Sequence, residues 1–190
     1  MLTVRGTKKF LDRVGRPVAD PPSSSAALGD WYANVLFWRP QVALFVNAVT
    51  FAPVLMPLAP SASVIARFPT AMSEVFHALG VARSFVASEL DRMSDVVLAK
   101  TVSRQVLGVM NEFAFMAEDT ISTGRSDPAD LLGLSVWLAN TIANTIVGPI
   151  VGPIVKDDGY APHDQTRTSG DLGSHDCSVG RGRVVCSWKR

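Results

Sequence analysis

Trp31-Tyr32-Ala33-Asn34-Val35-Leu36-Phe37-Trp38-Arg39-Pro40-Gln41-Val42-Ala43-Leu44-Phe45-Val46 is the stretch whose reading decides the fold. Its first half, to Trp38, is rich in aromatic and β-branched residues, and Val42 to Val46 is an unbroken apolar run. The first composition suits a strand, and the second suits a strand buried on both faces. Arg39-Pro40 separates them, so the pair reads as a hairpin.

Outward from the hairpin, Leu2 to Arg5 is short enough for one strand, and Lys8 to Val14 has helical spacing through Phe10, Leu11 and Val14. Downstream, Met72, Val75, Phe76 and Leu79 fall at i, i+3, i+4 and i+7, with Gly80 placed as a C-terminal cap. Ser84 is the expected cap of a helix carrying Val86, Leu90 and Met93, and Asp95 to Ala99 reads as a returning strand. Val102, Val106, Met110, Phe113 and Ala117 form one apolar stripe. Asp127-Pro128-Ala129-Asp130 supplies an N-cap, a proline in the first helical position and an acid in the third. From there Leu131, Leu134, Leu138, Ile142 and Thr145 form a second stripe that stops at Gly148-Pro149. Strands first, helices later and one strand returning between helices predict an α+β fold: a small, mainly antiparallel sheet packed against several helices.

A chain of 190 residues, 47 % hydrophobic, 18 % charged and +1 in net charge, can bury one sizeable core. That balance excludes the disordered and fibrous classes, and it lacks the electrostatic footprint of a general nucleic-acid binder. Cys177 and Cys186 both lie in the last fourteen residues, and the N-terminus lacks the apolar stretch of a signal peptide, so the expected setting is cytoplasmic. Gln41–Ala66 and Leu131–Val155 are uncharged and long enough to span a bilayer. Pro53, Pro57 and Pro60 in the first, and Asn140, Asn144, Gly148-Pro149 and Gly152-Pro153 in the second, argue against a membrane.

Composition changes sharply near Lys156, where apolar residues become sparse. The expected organisation is a single domain over residues 1–150 and a disordered or atypical tail over 151–190. Just ahead of the tail, Ala139-Asn140-Thr141-Ile142 and Val147-Gly148-Pro149-Ile150 are each repeated at once, doublings too short for a solenoid. Arg16 to Ala27, with Pro17, Pro21, Pro22 and three serines, reads as a loop.

Three blocks carry a resemblance: Thr7-Lys8-Lys9; Leu28-Gly29-Asp30-Trp31-Tyr32-Ala33-Asn34; and Ala99-Lys100-Thr101 with Arg104, Val106-Leu107-Gly108 and Met110-Asn111. In this order they resemble an uncharacterised bacterial family, a domain of unknown function, over roughly residues 1 to 150. The family has no established activity, so the resemblance implies a bacterial domain and carries no site residues or cofactor. Arg39-Pro40-Gln41 departs from the basic turn expected between the two hairpin strands.

The candidate site residues come from the residues themselves. Lys100, Thr101 and Arg104 sit where a strand gives way to a helix, and cations and hydroxyls beside a helix N-terminus suit an anion. An ordinary cap by Thr101 or Ser103 is the plainer explanation of the same residues. Asp30, Asn34, Asn47 and Asn111 are polar residues near apolar segments and would line one pocket if the fold gathers them. A turn at Gly29-Asp30, a strand end at Asn47 and a solvent-facing Asn111 explain each singly. Trp31, Tyr32, Phe37 and Trp38 around Arg39, with Lys8 and Lys9, could stack bases and meet phosphates, although strand aromatics are more often core. His163, His175, Cys177 and Cys186 lack the paired spacing of a structural zinc site, and His77 is the one histidine of the body. The reading is a binding or regulatory domain for an anionic ligand or a protein partner, with no cofactor and no metal. The alternative is an enzyme acting on nucleotides or nucleic acid.

Overall fold

A computed structural model describes residues 1–22, 24–145, 176–180 and 183–187. In chain order the elements are β1 (Leu2–Gly6), α1 (Lys8–Val14), β2 (Trp31–Leu36), β3 (Val42–Asn47), β4 (Pro53–Pro57), a 3-10 turn (Ser61–Ser63), α2 (Val64–Ala78), α3 (Arg83–Arg92), β5 (Val96–Lys100), α4 (Arg104–Ser122), α5 (Leu131–Thr145), β6 (Asp176–Gly180) and β7 (Arg183–Ser187). The chain divides into two units, Met1–Asp157 and Asp158–Arg190. In the second, β6 and β7 pair antiparallel, with Cys177 opposite Cys186 in the register. The rest of the expected tail, with His163 and His175, lies outside the described residues, as does the Gly148-Pro149 stop ahead of it.

In the first unit one sheet runs in the order β4-β3-β2-β1-β5. The α+β class stands, and the sheet is mixed: β1 pairs parallel with β2 and with β5, while β2–β3 and β3–β4 are antiparallel. The hairpin and the doubly buried β3 are as the sequence predicts. Two-residue periodicity sorts the core into two halves. Leu2, Val4, Trp31, Ala33, Val35, Phe45, Val54 and Met56 meet α2 and α3 on one face. Tyr32, Leu36, Val42, Leu44, Val46 and Leu55 meet α4 and α5 on the other. Aromatic packing knits the first half: Phe45 stacks on Phe68 at 4.2 Å, and Trp31 meets Phe68 edge-on at 5.0 Å. Each such ring, fully buried, contributes about 1.5–3 kcal/mol.

Four local expectations change. β4 has no counterpart in the sequence reading, because Pro53 and Pro57 read as breakers. α2 runs through Pro69 back to Val64, since burial of Val64 and Phe68 offsets the lost backbone bond. Ser84 is not a cap, as α3 starts one residue earlier after Ala82. The helix after Asp127-Pro128 begins at Leu131, with Asp130 as its cap: its Oδ1 accepts from Gly133 N at 2.8 Å. Gly80 does close the end of α2, at φ 75°, donating to His77 O. No described helix is long and apolar enough to cross a membrane.

The prolines of β4 are what an edge strand needs. Alternation with Leu55 places Pro53 and Pro57 where N–H groups would point away from β3, and proline has none to offer. Leu55 N, the outward donor between them, is taken by Ser135 Oγ of α5 at 2.8 Å, and that hydroxyl donates in turn to Leu131 O. Pro57 O accepts from Arg67 Nη2 at 3.0 Å. The edge is thereby closed to strand addition. Ser135→Ala would leave a buried N–H unpaired and is expected to lower stability by about 1–3 kcal/mol in chemical denaturation; an unchanged midpoint would contradict this account of the edge.

Candidate functional site: a cleft over Arg5

Along β1, Leu2 and Val4 enter the first half of the core, so Thr3 and Arg5 lie on the opposite face. On that face α4 and α5 cover β2, β3 and β4. Over β1 and β5 the cover is the proline-rich segment 17–22 instead. Val18 N donates to Leu98 O at 2.8 Å, and Thr3 Oγ1 donates to Pro22 O at 3.1 Å. Between segment and sheet lies a cleft of about 540 Å³, lined by Arg5, Pro17, Val18, Asp20, Lys100 and Val102 among others.

Arg5 is the fixed charge of this cleft. Its Nε donates to Asp30 Oδ2 at 2.6 Å and its Nη1 to Lys100 O at 3.4 Å, with side chains of Arg5 and Asp30 only 18 % and 23 % exposed. A charge-assisted bond of that length sets the plane of the guanidinium. Asp30 is itself set by a clamped turn. Gly29, at φ 69°, takes a conformation that costs glycine least. Ahead of it, Ala27 N and Leu28 N donate to the Glu89 carboxylate at 2.8 and 2.9 Å. Behind it, Ala48 N donates to Asp30 O, and Asn47 Nδ2 donates to Leu28 O at 2.9 Å. Glu89 is buried in α3, and two backbone donors satisfy it in place of a cation.

The seven predicted residues take different places. Asp30 holds Arg5, and Lys100 lies exposed at the end of β5, on the cleft, with no ion-pair partner among the described residues. Asn47 is fully buried and spends its amide on the turn, its Oδ1 accepting from Val49 N, Thr50 N and Thr50 Oγ1. Asn34 Oδ1 accepts from Thr7 Oγ1 at 2.8 Å and from Val35 N, which ties β2 to the start of α1. Thr101 is half-buried in the short connection to α4. Arg104 is exposed in the first position of that helix, and Asn111 is exposed farther along it. The cap is Ser103, whose Oγ accepts from Val106 N while its own N–H donates to Tyr32 Oη at 3.2 Å. The apolar stripe therefore begins at Val106, and Val102 stands 71 % exposed beside the cleft.

The aromatic set divides as well. Trp31 and Tyr32 are core, whereas Phe37 is 53 % exposed. His77 is exposed on α2, with Ser73 Oγ 3.4 Å from its Nδ1. Arg5 and Glu89 went unnoticed in the sequence. For Glu89 a signal existed: it follows Val86 by three and precedes Met93 by four, on the buried stripe of α3. For Arg5 there was none, because a charge ending a short strand ordinarily meets solvent.

The family model for DUF6933, a domain of unknown function, matches residues 3–153. No curated protein and no solved structure matches the chain.

Since Asn47 and Glu89 clamp the turn from inside the protein, their loss should register as stability. Asn47→Ala is expected to cost about 2–3 kcal/mol by stranding buried backbone groups, which for a domain of this size is a fall of about 5–10 °C in Tm. An unchanged melt would remove Asn47 from the clamp.

Proposed function

Because this chain belongs to the DUF6933 family, for which no activity is established, its function has to be argued from its own geometry, and we propose that residues 1–150 are a binding module for a small anion. Phosphate or carboxylate groups are the ligands that suit the cleft over Arg5. The observation that carries this reading is a guanidinium held in place by Asp30 and, on the same cleft, the Lys100 ammonium, which has no ion-pair partner among the described residues.

Three further features support it. The cleft lies at the C-terminal ends of β1 and β5, where open sheets with parallel strands commonly take ligands. α4 begins four residues after Lys100, so the positive end of its dipole is close by. Segment 17–22 walls the cleft with Pro17, Val18 and Pro21, and Asp20 adds an acceptor for a hydroxyl or amine of the ligand. Asp20 is the one carboxylate lining the cleft among the described residues, and no histidine, cysteine or serine lines it there to form a nucleophile–base or acid–base pair with that group. Binding therefore fits better than an enzyme acting on nucleotides, whose chemistry is usually carried by such a pair. The cytoplasmic setting rests on cysteine usage, and the bacterial origin on the family likeness.

Calorimetric titration with inorganic phosphate and a panel of nucleoside monophosphates tests the reading. A charge-assisted contact is worth about 1.5–3 kcal/mol, so Lys100→Ala should weaken binding about ten-fold or more while leaving Tm unchanged. Absence of any heat with the wild-type protein up to millimolar ligand, or equal affinity in the variant, would refute it.

A further inference from the structure

β2 buries its aromatic residues Trp31 and Tyr32, yet Phe37, the next residue after the strand, stands 53 % exposed. Two cations of α1 lie over its ring: Lys9 Nζ is 5.2 Å from the centroid and Arg13 Cζ 5.1 Å. Arg13 is held there by its own helix, donating from Nη1 to Lys9 O at 2.9 Å. Neither cation has a carboxylate partner among the described residues, because Asp12, the acid of that helix, is paired with Lys8. Arg39, two residues beyond Phe37, is exposed on the adjoining turn. Since β1 and β2 are parallel, the start of α1 and the end of β2 come out on the same side of the sheet, which brings these residues together.

From this juxtaposition we infer a second site, distinct from the cleft: Phe37, Lys9, Arg13 and Arg39 form a docking surface for single-stranded nucleic acid. An exposed ring offers a face on which an unpaired base stacks, and cations within reach of the same ring meet the flanking phosphates. Polyanions without bases would satisfy the cations and leave the ring idle. A duplex keeps its bases stacked inside and would leave it idle as well. The positive surplus is local, six Lys or Arg against three Asp over residues 1–40 in a chain of net charge +1, so the surface attracts an anionic strand without making the whole protein a polycation.

Fluorescence anisotropy with labelled oligo-dT and oligo-U of about eight nucleotides, at low salt, tests the surface, with heparin as the base-free polyanion. The wild-type protein should bind the oligonucleotides, and the log–log salt slope should be about −2 for three phosphates met. Phe37→Ala should weaken oligonucleotide binding about ten-fold and leave heparin binding and Tm unchanged, and Phe37→Trp should retain affinity. Lys9→Ala with Arg13→Ala should flatten the salt slope. No binding by the wild-type protein, or binding that Phe37→Ala leaves intact, would overturn the proposal. Oligonucleotide binding and phosphate binding at Lys100 are separate readouts, so either reading can fail alone.

Discussion

Everything in the first unit hangs on the pairing of one five-residue strand. β1 lies between β2 and β5, parallel to both, and joins a segment about thirty residues away to one more than ninety residues away. Without it the β2-β3-β4 meander and β5 have no common sheet. Closing such long loops is entropically costly, so this pairing is expected to form late and to be stabilised by what packs on it. Leu2 and Val4, wholly buried against the first half of the core, supply that packing.

The same constraint decides where chemistry can occur. Parallel strands end on the same side, so the chain leaves β1 toward Lys8, β2 toward Phe37 and β5 toward Lys100 in one region of the surface. A chain of net charge +1 thereby gathers cations that are far apart in sequence. Order in that region comes from below. Glu89 and Asn47 grip the turn before β2 from either side, the turn aims Asp30, and Asp30 holds Arg5. Buried polar groups that are fully satisfied specify a single arrangement, and the guanidinium inherits that rigidity.

What could be read in the sequence was whatever local chemistry determines. The α1 boundaries, the hairpin around Arg39-Pro40, β5 and the stripe of α4 from Val106 onward follow from periodicity and turn residues. β4 escaped because Pro53 and Pro57 look like breakers unless one knows that the strand is an edge with Ser135 beside it. The parallel partners of β1 escaped because register between distant strands has no local signature. The candidate site was partly legible for the same reason. Lys100 stood out through its place before a helix, whereas Arg5 acquires its role only when β1, β2 and β5 are adjacent. Asn47 was noticed as a polar residue needing partners, and its partners prove to be a turn of its own chain.

Arg5 and Lys100 are proposed to make one anion site at the ends of β1 and β5. Backbone amide NMR of the full chain, titrated with inorganic phosphate, tests it most directly. Saturable shifts confined to Gly6, Ala19 to Asp20 and Ala99 to Arg104, abolished in Lys100→Ala, are the predicted result. Shifts that fail to saturate, or that centre on residues away from these segments, would contradict it.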